Sequence, residues 1–149
     1  MYVYNNQTYY YGVRYTLSEL STYLNKEITS LKDLYKVSLP SFYKYLEDRV
    51  NFHKAKLGIT TNYKIKVHLN DSTFGSNNYV NKTLIFSYRL IHFAKDVIDS
   101  VVEHELIHHF YHNHQKEYYA KLLMYDPNYR RKEKALKDGF TYEISLDEC

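Results

Sequence analysis

This sequence of 149 residues has no tryptophan, two prolines, four glycines and one cysteine. A single cysteine, Cys149, cannot form a disulfide within the chain, so packing and hydrogen bonds must hold the fold, and a reducing compartment such as the cytoplasm is expected. There is no Gly/Ser linker, repeat or low-complexity tract to mark a boundary. A chain of this length can bury a sizeable core, so one domain over residues 1–149 is expected. No apolar run approaches the roughly 18 residues of a membrane span. The opening MYVYNNQTYYYG has no basic segment followed by an apolar one, so no membrane association and no secretory leader are expected. The net charge of +3 is well short of a nucleic-acid-binding footprint. A monomer is the expected state.

What is there is aromatic and, in places, periodic. Nineteen tyrosines and seven phenylalanines remove meaning from any single ring. Residues 2–15 are β-prone with a turn signal at Asn5-Asn6, which predicts a hairpin. Thr16-Leu-Ser-Glu19 has the capping-box spacing and opens a helical region of one or two short helices. Pro40 is expected to break that pattern, with a further helix from Ser41 to a stop at Gly58. Tyr63, Ile65, Val67 and Leu69 alternate with polar residues, which predicts a half-buried strand. NDSTFGSNN reads as turn, and YVNKTLIFSYRLI as a neighbouring antiparallel strand. Helices follow from Lys95 to about Phe110, from about Gln115 to Leu123, and after Pro127. That order makes an α+β domain.

The chemistry concentrates in EHELIHHFYHNH, which holds five of the eight histidines. His104-Glu105-Leu106-Ile107-His108 is H-E-x-x-H inside a predicted helix. Residues i and i+4 share one helical face, so both imidazoles can reach one Zn²⁺, and Glu105 beside the first ligand can act as general base. His112 extends the i, i+4, i+8 stripe, but eight helical residues rise about 12 Å, too far for one ion. The helix must therefore end soon after His108. Asn113 tolerates the left-handed conformation that ends helices, and His114 follows it. His114 is taken as third ligand, with His112 and Glu117 in reserve. The metzincins share this spacing but carry glycine where Tyr111 stands here, and no later Met-turn is seen.

The stretch from Gly75 to Leu136 resembles the YgjP-like metallopeptidase family, relatives of the SprT-type zincins. The family pattern is W-G-S-C, a strand with N-x-x-L, V-I-x-x-V-V-x-H-E-L-x-H, then N-H-S-x-x-F-W and P-x-Y. Here the matching residues are Phe74-Gly75-Ser76, Ser87 to Leu90, Val97-Ile98 through His108, Asn113-His114, Tyr118-Tyr119 and Pro127-Asn128-Tyr129. Asn77 stands for the usual Cys, Phe74 for Trp, Thr73 for Arg and Gln115 for Ser; none of these changes removes a ligand. The resemblance spans roughly residues 41–137, and residues 1–40 form an unmatched N-terminal extension. It implies a zincin-like fold, in which a small antiparallel sheet packs against the H-E-x-x-H helix with further helices at both ends. It also implies a zinc peptidase acting on a protein or peptide.

Three functions compete at this point. The first is a zinc metallopeptidase with Glu105 as base and a fourth coordination position left open. The second is a metal-dependent phosphohydrolase acting on nucleotides, with Arg130, Arg131, Lys132, Lys134 and Lys137 holding phosphate. The third is a non-catalytic, metal-stabilised module associated with nucleic acid. Tyr111, Tyr118, Tyr119 and Arg89 are candidate oxyanion donors, and the strand around Thr83–Ser87 is the candidate substrate edge for β-augmentation. His53, His68 and His92 have no partner spacing and read as ordinary. His109 lies off the ligand face, and Asp99 and Glu103 read as a solvated face.

Overall fold

The structure is a computed structural model that describes residues 2–69 and 72–139. Cys149 lies outside them, as do Asn70 and Asp71 of the turn-rich stretch. The chain opens as an antiparallel meander of β1 (Val3–Tyr4), β2 (Gln7–Tyr10) and β3 (Val13–Thr16). Asn5 and Asn6 take positive φ, as do Tyr11 and Gly12, so both links are two-residue turns whose backbone matches the twist of the strands. Thr16 caps α1 (Leu17–Leu24) through the expected capping box: its hydroxyl accepts from the Glu19 amide, and the Glu19 carboxylate accepts from the Thr16 amide.

Helix α2 (Leu31–Leu57) departs from expectation. It starts at an N-cap on Ser30 and ends at Gly58, whose φ of 73° suits a left-handed stop. It also runs straight through Pro40, which therefore does not break it. Leu34, Ser38, Phe42, Leu46 and Val50 are buried at four-residue intervals on one face, while Pro40 is exposed. The proline ring and the Lys36 carbonyl it cannot serve thus face water. A helix-interior proline costs about 3 kcal/mol. Fully burying each of the four apolar side chains of that stripe gains roughly 1.5–3 kcal/mol, so the stripe wins.

Strand β4 (Lys64–His68) alternates as expected, and β6 (Thr83–Ser87) lies beside it. That pair is parallel, not antiparallel. The reason is β5 (Gly75–Asn78), a strand made of GSNN, which has no apolar signature and reads as turn. It pairs antiparallel with β6, so the order is β4-β6-β5 and β6 is central. A 3-10 turn (Tyr88–His92) leads into α3 (Lys95–Ile107), followed by α4 (Lys116–Tyr125) and α5 (Tyr129–Asp138). The outcome is α+β, a small sheet against α3 with helices at both ends. Among the described residues no helix is long and apolar enough to cross a membrane.

One cluster of buried residues draws Tyr10, Leu17, Leu34 and Phe42 together with Phe86, Ile98 and Leu106, so residues before position 41 share the core of the rest. The N-terminal sheet is docked through His92, which is fully buried. Its Nδ1 donates to the Tyr9 carbonyl at 2.7 Å, and the Tyr35 hydroxyl donates to its Nε2 at 2.7 Å. Tyr2 stacks on its ring at 4.6 Å. Gly12 completes the joint, because a Cβ there would stand 3.0 Å from Ala94. His92 is thus a structural histidine outside the cluster of His104, His108 and His114, and so is His53. The latter is buried on α2, where its Nδ1 accepts from Tyr125 at 2.7 Å and its Nε2 faces Asp99 at 3.3 Å.

Two outcomes follow for stability. Replacing Pro40 by alanine should stabilise the protein by up to about 3 kcal/mol, read from the denaturant midpoint; a lower midpoint would show that the proline is needed. Burial pushes the His92 imidazole from 6.5 down to about 4. A histidine depressed on folding favours the fold in its neutral form. This contribution is complete above pH 6.5 and declines as pH falls toward 4, by about 3 kcal/mol in all. Urea titrations of wild type and His92→Gln between pH 7 and 4 should show a shallower pH slope in the variant.

Candidate metal centre

Helix α3 presents a buried apolar side, Val97, Ile98, Val101, Val102 and Leu106, to the core, and this fixes where its other face points. His104 and His108 lie on that other face, one helical turn apart. The helix stops at Ile107, slightly earlier than expected. His109 donates its amide to Leu106 at 3.0 Å, and Phe110 donates to Ile107 at 3.0 Å. These tight right-handed turns reverse the chain. Asn113 is not among the residues with positive φ, so no left-handed cap is used there. His114 is brought back to the helix immediately before α4.

The three histidines converge. His114 Nε2 lies 2.9 Å from His108 Nε2 and 3.1 Å from His104 Nε2, and the three residues offer donor atoms within 4.8 Å of one another. His112, a reserve ligand, instead stacks on exposed Tyr79 at 3.7 Å, and Glu117 is exposed at the start of α4, outside the cluster. His109 is tied to the Tyr63 hydroxyl at 2.8 Å.

The partners of the ring nitrogens show what the cluster can hold. His108 Nδ1 faces the Tyr111 carbonyl at 3.0 Å, so it must carry a proton and leave Nε2 bare. His104 Nδ1 meets the Tyr129 hydroxyl at 2.7 Å. Burial, then the neighbouring His108 and His114, push the His104 imidazole down to about 3, and burial holds His108 low as well. An imidazole Nε2 without a proton offers its lone pair to a cation, and the bare Nε2 of His108 is aimed into the cluster. Ligands on tetrahedral zinc stand about 3.3 Å apart, so a small outward adjustment of these rings would admit the ion. The donor set, three imidazoles with His114 exposed, fits a catalytic zinc with an open position.

Glu105 follows His104 on the helix and is 6% exposed. Burial pushes its carboxyl up to about 8. It sits beside β5: a Cβ on Gly75 would stand 2.9 Å from Val101 Cγ1 and 3.3 Å from Glu105 Oε2. Asn77 donates its side-chain amide to the Glu105 carbonyl at 2.8 Å. The edge strand beside the histidine helix is thus β5. The central strand β6, expected to receive substrate, has both edges paired.

A second small core of Ile107, Tyr118, Leu122 and Tyr129 supports the cluster. The Tyr118 ring packs 4.6 Å from His108 and 5.0 Å from His114, and its hydroxyl donates to the His104 carbonyl at 2.8 Å. Being fully buried, it is no oxyanion donor. Arg89 lies over Phe74 and donates to the Thr73 carbonyl at 3.0 Å. Tyr119 is half-buried, 6.0 Å from His114. Asp99 and Glu103 are not a solvated face: Asp99 binds Arg49 at 2.6 Å, and Glu103 is 5% exposed beside Asp126. In the basic run, Arg130 pairs with Glu133, Arg131 with Asp96, Lys132 with Asp126 and Lys134 with Asp138. The sequence does not single out Tyr129 as a partner of His104. Its one signal is the P-x-Y motif, which gives no role.

The fold is shared with two proteins solved as metallopeptidase zymogens. Jannalysin of Methanocaldococcus jannaschii, solved as a metallopeptidase zymogen, is 21% identical and superposes with a TM-score of 0.56 over 62% of this chain and 94% of that one. The zymogen of Pyrococcus abyssi abylysin is 15% identical, with a TM-score of 0.57 over 61% of this chain and 90% of that one. No curated protein matches. The model of the YgjP-like metallopeptidase domain matches residues 6–139, so the chain belongs to the YgjP-like family. The match begins well before residue 41, where the resemblance in sequence starts.

Gly75→Ala should destabilise the protein by about 1–3 kcal/mol through overpacking against Val101 and Glu105, measured as a lowered denaturant midpoint. An unchanged midpoint would mean that β5 and α3 separate easily.

Proposed function

We propose that this protein is a zinc-dependent peptidase in which His104, His108 and His114 hold the metal and Glu105 is the general base. The observation that carries this reading is the convergence of three Nε2 atoms, two of them on rings whose Nδ1 is hydrogen-bonded, one residue from a buried carboxylate on the same helix. When bound, zinc supplies Lewis acidity, polarising the scissile carbonyl and making water acidic enough to attack near neutral pH. Glu105 takes the proton of the attacking water and delivers it to the leaving amine, so that one carboxyl serves both halves of the reaction.

The substrate is a protein or peptide, and we place it extended along the outer edge of β5 (Gly75–Asn78), where main-chain pairing would hold it beside α3. Exposed Tyr79 and Val80 at the end of that strand offer it apolar contact. Of the four candidate oxyanion donors, Tyr119 is the one we favour, since it lies beside His114 and is not fully buried. The ion-paired state of the basic run on α5 weighs against phosphate as the substrate group. A monomer working as one domain in the cytoplasm completes the reading.

Elemental analysis and proteolysis of a casein or peptide library test it together. Wild type should carry about one zinc per chain, with His108→Ala and His114→Ala losing it. Glu105→Gln should keep the metal and lose roughly 10²–10⁴-fold in turnover. Equal cleavage by wild type and Glu105→Gln would overturn the assignment of the base, and no metal in reconstituted wild type would overturn the site.

A further inference from the structure

Strand β4 lies at an edge of its sheet, on the opposite side of β6 from β5. Its register shows which atoms that edge leaves over. The Lys64 amide donates to the Lys82 carbonyl at 2.9 Å, in a parallel ladder that sets Lys64 beside Thr83 and His68 beside Ser87. In a parallel ladder alternate residues turn both main-chain groups toward the same neighbour. Lys64, Lys66 and His68 therefore bond toward β6, and the amides and carbonyls of Ile65 and Val67 point away from it. Among the described residues no strand pairs with them. The side chains alternate as well: Lys64, Lys66 and His68 are exposed on one face, and Ile65 and Val67 are half-buried on the other.

A groove accompanies this edge. A cavity of about 380 Å³ lies between β4 and α2, with Ile65 and Lys66 on one side and Tyr43, Val50 and Lys54 on the other. A free strand edge beside a groove can seat an extended peptide: main-chain pairing supplies affinity, and pockets for alternate side chains supply specificity. Charge then selects the occupant. Lys54, Lys64 and Lys66 line the groove, and Glu47, the one acid among its described lining residues, already pairs with Lys44 at 3.6 Å. Lysines on an edge discourage unselective strand pairing. A second copy is a poor occupant, because two β4 edges paired antiparallel about Lys66 would set lysine against lysine, and like charges directly opposite are destabilising. An acidic strand turns the same lysines into attractive cross-strand partners, and its alternate side chains would face Tyr43 and Val50.

We propose that the edge of β4 and the facing side of α2 form a docking groove for an extended segment of a partner protein in which acidic and apolar residues alternate. The segment adds a strand to the sheet by bonding to the main chain of Ile65 and Val67. Its acids lie beside Lys64 and Lys66, and its apolar side chains enter the groove. This surface is separate from the histidine cluster, and the inference does not rest on the metal or on the peptidase reading.

The test is fluorescence polarisation of the full chain with a labelled peptide of sequence TEIEVET, and with TKIKVKT as the probe of opposite charge. TEIEVET should bind saturably and more weakly as salt is raised, and TKIKVKT should not bind. Amide NMR of the complex should place the largest shifts at Ile65 and Val67. Reversing charge in Lys64→Glu with Lys66→Glu should weaken TEIEVET about tenfold or more. Val67→Pro removes an amide that points away from β6, so the ladder within the sheet stays whole while strand addition is blocked; it should abolish binding with a thermal midpoint near that of wild type. Should the proline lower the midpoint, the lysine reversal and the NMR map decide instead. No binding of TEIEVET would overturn the groove. Equal binding of both peptides, or TEIEVET binding unchanged by the lysine reversal, would overturn the choice of an acidic partner. Full binding to a folded Val67→Pro would overturn strand addition.

Discussion

Three imidazole nitrogens stand at about hydrogen-bonding distance from one another, and the surrounding structure supplies what holds them together. Each piece of that support has a separate origin. The helical repeat sets His104 above His108 on α3. A tight turn, built from amide bonds to Leu106 and Ile107, returns His114. Tyr118 fills the space beneath all three rings and ties its hydroxyl to the α3 backbone. The hydrogen bond from His108 Nδ1 to the Tyr111 carbonyl leaves its Nε2 bare and facing the other two rings. A cluster made this way brings three imidazole donor atoms to one place.

The rest of the chain fixes the attitude of α3. Its apolar side is buried against β6, α2 and the 3-10 turn in one cluster that begins at Tyr10 and runs to Leu106. The N-terminal meander belongs to this cluster and is locked to it through buried His92. On the opposite flank, Arg49 and His53 of α2 hold Asp99 on α3, a polar pin beside the apolar contact. Glu105 is buried by this arrangement, against Gly75 and Val101, and owes its raised carboxyl pKa to that burial.

Much of the candidate site is legible in the sequence because its information is local. H-E-x-x-H works through one helical turn, and the rise of a helix is enough to set His112 aside. The capping box at Thr16 and the stop at Gly58 are likewise local and occur as expected. The departures from expectation share one cause. Pro40 is a strong breaker by propensity, yet the buried stripe of α2 outweighs it. GSNN has no strand signature, yet β6 offers it a partner edge. His53 and His92 look solitary because their hydrogen-bond partners lie 46–83 residues away in sequence.

The sequence by itself determined the α+β class, the histidine helix and the position of Glu105 beside His104. All of these follow from spacing within a dozen residues and from the fixed rise of a helix. Tertiary structure alone decided that β6 is central and β5 an edge, that Glu105 is buried, and that Tyr129 stands behind His104. Those facts depend on which surfaces cover one another once the apolar side of α3 leaves water. No short window of residues carries that information, because burial and hydrogen-bond partnership are properties of the packed chain.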